Sequence, residues 1–226
     1  MELLTDWNLT LTPDDVLRGQ GADPQVVHAS KPLLLRSAQQ ACSDGIGLIH
    51  PIALLGETIV KEHFHNRITL ANGSSITGPL VTRLFSGALK VIAVICTIGS
   101  ELEEASAELF YKDPIYALAL DGLGNAAVDM LAQQLCNTIT AQYNNEEGLQ
   151  ASAPLSPGLP EWPVEVGQPQ IFALLDSKKA GILLTSGGMM RPKKSVSFIL
   201  GIGQEMSQTS MCSLCSLKNT CRYQNV

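Results

Sequence analysis

The sequence has few charged residues, no excess of positive charge and no long uninterrupted apolar run. Charged side chains make up 16% of the 226 residues and apolar ones 45%, a balance that excludes a disordered chain. The formal net charge of −6 argues against a general nucleic-acid-binding protein, because counterion release requires a basic surface. No apolar run reaches the ~18–20 residues that a membrane-spanning helix needs. The composition predicts a globular protein with a sizeable core and with neither nucleic acid nor membrane as partner.

The sequence also lacks the short motifs of several enzyme classes. It contains no G-x-G-x-x-G or Walker phosphate loop, no zinc-protease motif and no recognisable nucleophilic triad. The first fifteen residues, MELLTDWNLTLTPDD, are acidic and polar, which predicts that they are not a signal peptide and that the protein is cytoplasmic. The function must therefore be inferred from the order of elements and from the cysteines.

Helix-start signals and apolar periodicity predict an α+β chain. Thr12 and Pro13 start a short helix, and Asp113-Pro114 starts a helix of about thirty residues that should cross the core. Ser100 and Glu103 have the spacing of a capping box. The β-branched run at residues 89–98 is typical of a buried strand. This order favours a twisted, mostly antiparallel sheet packed by helices over repeated βαβ units.

Residues 156–203 carry the most distinctive pattern. Four prolines within thirteen residues predict a rigid extended opening that is neither helix nor central strand, namely Pro157, Pro160, Pro163 and Pro169. Residues 181–185 and 195–202 are typical of strands, and residues 186–194 predict a hairpin connection between them. The connection holds Arg191, Lys193 and Lys194, which predict an exposed basic tip.

Three cysteines lie close to the C-terminus in a C-x2-C-x5-C pattern, namely Cys212, Cys215 and Cys221. Thiolates at this spacing can ligate an iron–sulfur cluster, with a four-iron, four-sulfur centre preferred, or a zinc ion completed by a further ligand. The alternative is three free thiols on a flexible tail. Cys42 is the expected fourth ligand, because Cys96 and Cys136 lie in apolar runs and are typical of core positions. We expect one domain over residues 1–205 and a metal-binding tail over residues 206–226.

The order of short motifs resembles the activation (reactivation) domain of cobalamin-dependent methionine synthase, most closely its short, free-standing relatives. The motifs are S-P-G, P-E-W-P, F-A-L-L-D, G-I-L-L-T and M-M-x-P-x-K-S-V-S, and the segments AVICTIGSELEE and ALALDGLGNAAVDMLAQQL extend the resemblance to roughly residues 91–203. The resemblance implies the fold of that domain. It also implies a groove that binds S-adenosylmethionine and faces a corrinoid-carrying domain.

The resemblance implies six cofactor-binding candidates: Asp121, Asn125, Ser156, Gly158, Met189 and Met190. Asp121, Asn125 and Asp129 are spaced by four on the long helix and share a face, which either lines a ligand groove or is solvated. The two methionines either contact a large apolar ligand such as a corrin or fill the core.

The sequence departs from the family at the ligand-binding loop. The family's Arg-Pro-x-Pro-Gly-Tyr is replaced by residues 154–159, so that Pro154 takes the place of the arginine and Leu159 that of the tyrosine. The family's Thr-Glu-Ser corresponds to residues 185–187, where Ser186 replaces the glutamate. Neither proline nor leucine can supply the charge-assisted anchor that a guanidinium gives a carboxylate. The fold expectation survives, and S-adenosylmethionine binding is doubtful.

Three hypotheses of function follow from these observations. The first is an accessory protein that docks a corrinoid protein or a methionine synthase-type methyltransferase, and supports reductive activation or methyl transfer there. An iron–sulfur centre in the tail would suit this role, because low-potential cobalt needs an electron donor. The second is an S-adenosylmethionine-binding methyltransferase component acting on cobalamin. The third is a structural zinc-binding interaction module.

Overall fold

The computed structural model describes residues 1–145, 148–159, 161–216, 218–219 and 221. The helices are α1 (Pro13–Gly19), α2 (Pro24–Ser30), α3 (Pro32–Gly45), α4 (Pro79–Leu84), α5 (Glu101–Leu109), α6 (Pro114–Asn144), α7 (Val164–Phe172) and α8 (Met211–Leu214). The strands are β1 (Glu2–Leu4), β2 (Ile52–His63), β3 (Arg67–Leu70), β4 (Ser75–Thr77), β5 (Ala88–Thr97), β6 (Gln150–Ala151), β7 (Leu183–Leu184), β8 (Met190–Arg191) and β9 (Ser195–Gly203). The expected α+β class is confirmed.

Every strand pair in the described residues is antiparallel. The main sheet has the order β4-β3-β2-β5-β9-β6, with β1 also paired to β2. Residues 52–59 of β2 pair with β5, and the end of β2 pairs with β3 with a register shift between Val60 and Glu62. Such an irregularity increases local twist, so the long strand β2 leads the sheet into a curl.

The sheet is buried on both faces. Successive side chains of a strand point to opposite faces, and in the central strands both sets are apolar. On β5, Ile92 and Val94 face the first core, whereas Ala93 and Ile95 face the second. Helices α1, α2, α3, α5 and α6 contribute to the first core. Helices α4 and α7 and the loop at residues 152–163 contribute to the second. The molecule thus has a helical layer on one face of the sheet and a loop-rich layer on the other.

Helix α6 is the central element of the helical layer. Its apolar side chains at Leu123, Leu131 and Leu135 are buried in the first core, which confirms the predicted core-crossing helix. It is the one helix in the described part of the chain that is long and apolar enough to span a membrane, and half of its most apolar stretch is buried inside the fold. This degree of burial is typical of a helix that packs in the core of a globular protein.

Three helix starts were predicted correctly, but the capping box expected at one of them does not form. Thr12 and Asp15 form a capping box at α1, and the Asp113 carboxylate accepts a hydrogen bond from the Tyr116 amide at 3.0 Å. Ser100 makes no side-chain cap at α5, so the expected capping box there is wrong. The Glu103 carboxylate instead accepts a hydrogen bond from the Lys193 backbone amide at 2.9 Å, which holds the β8–β9 connection against α5.

The predicted hairpin is also wrong in its pairing. Strand β9 pairs with β5 over most of its length, because its alternating apolar residues fill both cores as a central strand requires. The real hairpin is shorter and joins β7 to β8 through a turn with Gly188 at φ +77°. The expected extended opening also ends earlier than predicted, since α7 begins at Val164 and contains Pro169.

Helices α1 and α6 cross at a contact between two glycines. A Cβ added at Gly19 would lie 2.1 Å from the carbonyl oxygen of Gly122, and one added at Gly122 would lie 2.7 Å from the Val16 carbonyl oxygen. Both distances are far shorter than a carbon–oxygen contact, so this approach requires glycine at both positions. The contact sets how closely α1 lies over the polar face of α6.

Candidate functional site

The polar face of α6 is bound by a lysine from the β8–β9 connection. The Lys194 ammonium lies 2.7 Å from Asp121 Oδ1 and donates to Asn125 Oδ1 at 2.7 Å. Asn125 Nδ2 in turn donates to the Gly19 carbonyl oxygen at 3.0 Å. The Lys194 side chain is only 12% exposed. Two of the cofactor candidates therefore join α1, α6 and the β8–β9 connection, and Lys194 is not part of an exposed basic tip.

A recess of about 310 Å³ lies between α1 and α6, one turn further along the same face. It is lined in part by Asp15, Arg18, Asp129 and Met130. Arg18 is paired with Asp15 at 3.1 Å and keeps further guanidinium donors. Asp129 is reached by solvent through the recess, yet desolvation by the surrounding protein raises its pKa against the opposing attraction of Lys194. The recess thus offers a carboxylate, a guanidinium and an apolar wall to a small molecule.

The loop at residues 151–159 is lined by the start of the C-terminal tail. The Ser156 backbone amide donates to the Met211 sulfur at 2.9 Å. The Ala153 amide donates to the Ser207 carbonyl oxygen at 3.0 Å, and Gln208 Nε2 donates to the Ala151 carbonyl oxygen at 2.8 Å. The tail therefore runs along residues 151–156 and engages the amide of a predicted cofactor-binding residue.

Two further residues of this loop are fixed by the second core. Gly158 has φ +114°, a conformation that favours glycine, and its amide donates to the Trp162 carbonyl oxygen at 2.9 Å. Leu159 is 7% exposed and packs in the second core. Trp162 is fully buried beside it. These contacts fix the loop to the fold. The side chain of Leu159 points into the second core and is therefore not available to a ligand at the surface.

The two predicted methionines have different surroundings. Met190 packs against the second core, whereas the Met189 side chain is 64% exposed. Leu183 is also exposed, and it lies opposite Arg191 in the β7–β8 pair. Lys193, which follows the hairpin, is exposed as well. We call these four exposed residues the hairpin surface, namely Leu183, Met189, Arg191 and Lys193.

The four predicted metal ligands are not brought together. Cys42 lies in α3 and packs against the first core, whereas Met211 and Leu214, which flank Cys212, pack against the second. Burial and, to a smaller extent, the Asp15 carboxylate raise the pKa of the Cys42 thiol, which opposes thiolate ligation. Within the described residues, no three His, Cys, Asp or Glu side chains are gathered as a metal site. The tail cysteines are therefore candidate metal ligands that the fold does not hold in a preformed metal site.

Comparison with known proteins supports the fold expectation. No protein-family model and no curated protein matches the sequence. Among solved structures, the fold is similar to that of the MetH reactivation domain bound to AdoHcy, with a TM-score of 0.65 and 16% sequence identity. The match covers 89% of this chain and 72% of that chain. The activation-domain-like fold expected from the motifs is confirmed.

Proposed function

We propose that this protein is a cytoplasmic accessory protein that docks a corrinoid protein and supports the reductive activation or methyl transfer of its cobalt. The observation that carries the proposal is the attachment of a cysteine-bearing tail beside the loop at residues 151–159, on a fold similar to the MetH reactivation domain. In this chain the Ser156 amide is engaged by the tail and Leu159 is buried. These contacts favour a docking role over the family's usual ligand binding.

The hairpin surface is the proposed docking site for the corrinoid partner. It combines two exposed apolar side chains with two exposed cations, on a protein whose formal net charge is −6. An apolar patch with a polar rim is typical of a transient protein interface. The cations Arg191 and Lys193 would steer this surface toward an acidic face of the partner.

The tail is the proposed metal centre. Thiolates suit iron–sulfur clusters and zinc, and Cys212 and Cys215 lie one turn apart. Binding would have to draw Cys221 toward them, and the fourth ligand would have to come from a group other than Cys42. An iron–sulfur cluster held here would supply an electron donor for cobalt. Zinc would instead make the tail a structural interaction module.

We expect the anaerobically purified full-length protein to contain iron and acid-labile sulfide and to show an iron–sulfur absorption band that is lost in air. Replacing Cys215 by serine should abolish the band, because thiolate ligation holds the cluster. Cys136→Ser is the matched control and should keep the band, because Cys136 lies in α6 against the first core. Stoichiometric zinc without iron would remove the electron-donor role, and a metal-free protein would remove the metal centre.

The recess between α1 and α6 favours a second candidate function, an S-adenosylmethionine-binding methyltransferase component acting on cobalamin. The ligand's amino-acid end carries an ammonium group, complementary to Asp129, and a carboxylate, complementary to the free donors of Arg18. Its methylene groups would pack against Met130. These contacts in the recess would replace the arginine and tyrosine that are missing from the loop. The chain would then keep the family's activity through a different set of residues.

Calorimetry with S-adenosylmethionine separates the two candidates. The docking role predicts a Kd weaker than about 1 mM, since tighter binding needs more than ~4 kcal/mol from the remaining contacts. The methyltransferase role predicts micromolar binding that weakens at least about tenfold in Asp129→Asn, as expected for loss of a charge-assisted hydrogen bond. Glu108→Gln, an exposed change on α5 outside the recess, is the control. Micromolar binding would overturn the first candidate's account of the ligand.

A further inference from the structure

We propose that Cys212 and Cys215 form a reversible dithiol–disulfide pair, and that closing this pair holds the tail on the loop at residues 151–159. The inference goes beyond the proposed function and requires neither a metal nor a corrinoid partner. It rests on the geometry of a single turn and on the contacts of the residues that flank the two thiols.

The two cysteines are placed at a distance that a disulfide can bridge. The Cys215 amide donates to the Cys212 carbonyl oxygen at 3.4 Å, so the two residues close an i to i+3 turn. The Cα atoms across such a turn lie within about 7 Å, and disulfides span roughly 4.4–6.8 Å between Cα atoms. Cys212 is exposed and Cys215 is half-buried, so a small thiol reagent can reach the pair.

The same turn carries the contacts that attach the tail. Met211 and Leu214 pack against the second core, and the Met211 sulfur accepts the hydrogen bond of the Ser156 amide. Residues three apart share a helix face, so Met211 and Leu214 lie on one face of α8. Cys212 lies on the next face, and Cys215 follows directly after the helix. A bond between the two thiols therefore constrains the turn without displacing the residues that dock it.

Closing the pair should favour the docked tail. A four-residue helix has no stability of its own and is ordered only by its packing. A disulfide across the turn removes conformations that are open to the undocked tail, which shifts the equilibrium toward the docked form. Because Ser156 gives its amide to Met211 only when the tail is docked, the thiol state controls whether this edge of the loop is covered.

The oxidation is a two-electron exchange with a small disulfide such as oxidised glutathione. One cysteine thiolate attacks a glutathione sulfur, forms a mixed disulfide and releases one glutathione. The second thiolate attacks the protein sulfur of that mixed disulfide and releases the second glutathione. The protein pair loses two electrons and two protons, and oxidised glutathione gains them as two thiols.

The test measures both the bond and its effect on the loop in the full-length protein. Peptide mass spectrometry across a series of reduced and oxidised glutathione ratios should show a Cys212–Cys215 disulfide, and NMR should show at least about fivefold slower exchange of the Ser156 amide in the oxidised protein. In Met211→Ala the disulfide should still form, but the slowing should be lost. Cys215→Ser should abolish the disulfide, and Cys136→Ser should change neither result.

Two results would overturn the proposal. One is a pair that stays reduced across the whole series, whether or not metal is bound. The other is a disulfide that leaves Ser156 exchange unchanged or faster. Metal content is measured on the same sample, so that a failure of the iron–sulfur proposal and a failure of this one are separate observations.

Discussion

Replacing Gly19 by alanine is expected to destabilise the protein by about 3 kcal/mol, the upper range for overpacking a close contact. The new Cβ would lie 2.1 Å from the Gly122 carbonyl oxygen, which is backbone and cannot rotate away. Helix α1 must then move off α6, and Asn125 must lose its hydrogen bond to the Gly19 carbonyl oxygen. For a chain of this size, thermal denaturation should show a midpoint lower by roughly 6–12 °C.

Gly47→Ala is the matched control for this prediction. A Cβ at Gly47 meets no atom within 4 Å, and its φ is not in the left-handed region. The control should therefore melt within about 1 °C of the wild type, or slightly above it through reduced entropy of the unfolded chain. A Gly19→Ala protein that also melts with the wild type would contradict the described contact between α1 and α6.

Replacing Lys194 by alanine is expected to cost about 2 kcal/mol, the usual value for charge-assisted hydrogen bonds in a partly buried site. The change removes the ammonium group that lies between Asp121 and Asn125, and leaves the Asp121 carboxylate without its cation. Thermal denaturation should show a midpoint lower by roughly 4–8 °C.

Lys193→Ala provides the comparison, because it is the neighbouring lysine with an exposed side chain. The known contact of Lys193 is made by its backbone amide, which alanine retains. The unfolding free energy of this variant should stay within about 0.5 kcal/mol of the wild type. Equal effects of the two lysine variants would show that Lys194 is a surface cation, as the sequence alone suggested.

Local signals predicted the elements that depend on local interactions. Thr12 and Asp113 mark helix starts because their side chains accept backbone hydrogen bonds within the next three residues. The Asn-Gly pair at residues 72–73, a local turn signal, joins β3 to β4, with Gly73 at φ +85°. The apolar period of α6 predicted most of the residues that it buries, but Leu118, which fits the same period, is exposed.

Pairing between distant segments could not be predicted in the same way. Strand β9 is adjacent in sequence to the β7–β8 hairpin, but it pairs with β5, about a hundred residues earlier. An apolar run indicates that a strand is buried on both faces and does not identify its neighbours. The misplaced capping box at Ser100 has a similar cause, since Glu103 is engaged by the distant Lys193 amide.

The sequence identified several residues of the candidate site, but it did not identify which residues contact one another there. The four-residue spacing placed Asp121, Asn125 and Asp129 on one face of α6, yet nothing in the sequence identified Lys194 as the partner of the first two. The recess between α1 and α6 depends on Arg18, which carries no motif. The contact between Met211 and Ser156 joins segments 55 residues apart and likewise has no local signal.

The most direct test of the proposed function is anaerobic binding of the full-length protein to the corrinoid-carrying part of a cobalamin-dependent methionine synthase, followed in real time at low and high ionic strength. We expect saturable binding at low ionic strength. The combined change Arg191→Glu and Lys193→Glu should slow association by about tenfold or more, because electrostatic steering acts on the association rate. Lys31→Glu with Arg36→Glu, exposed cations at the start and on the surface of α3, should leave the rate nearly unchanged. No binding at low ionic strength, or equal association rates for the two double variants, would contradict docking through the hairpin surface.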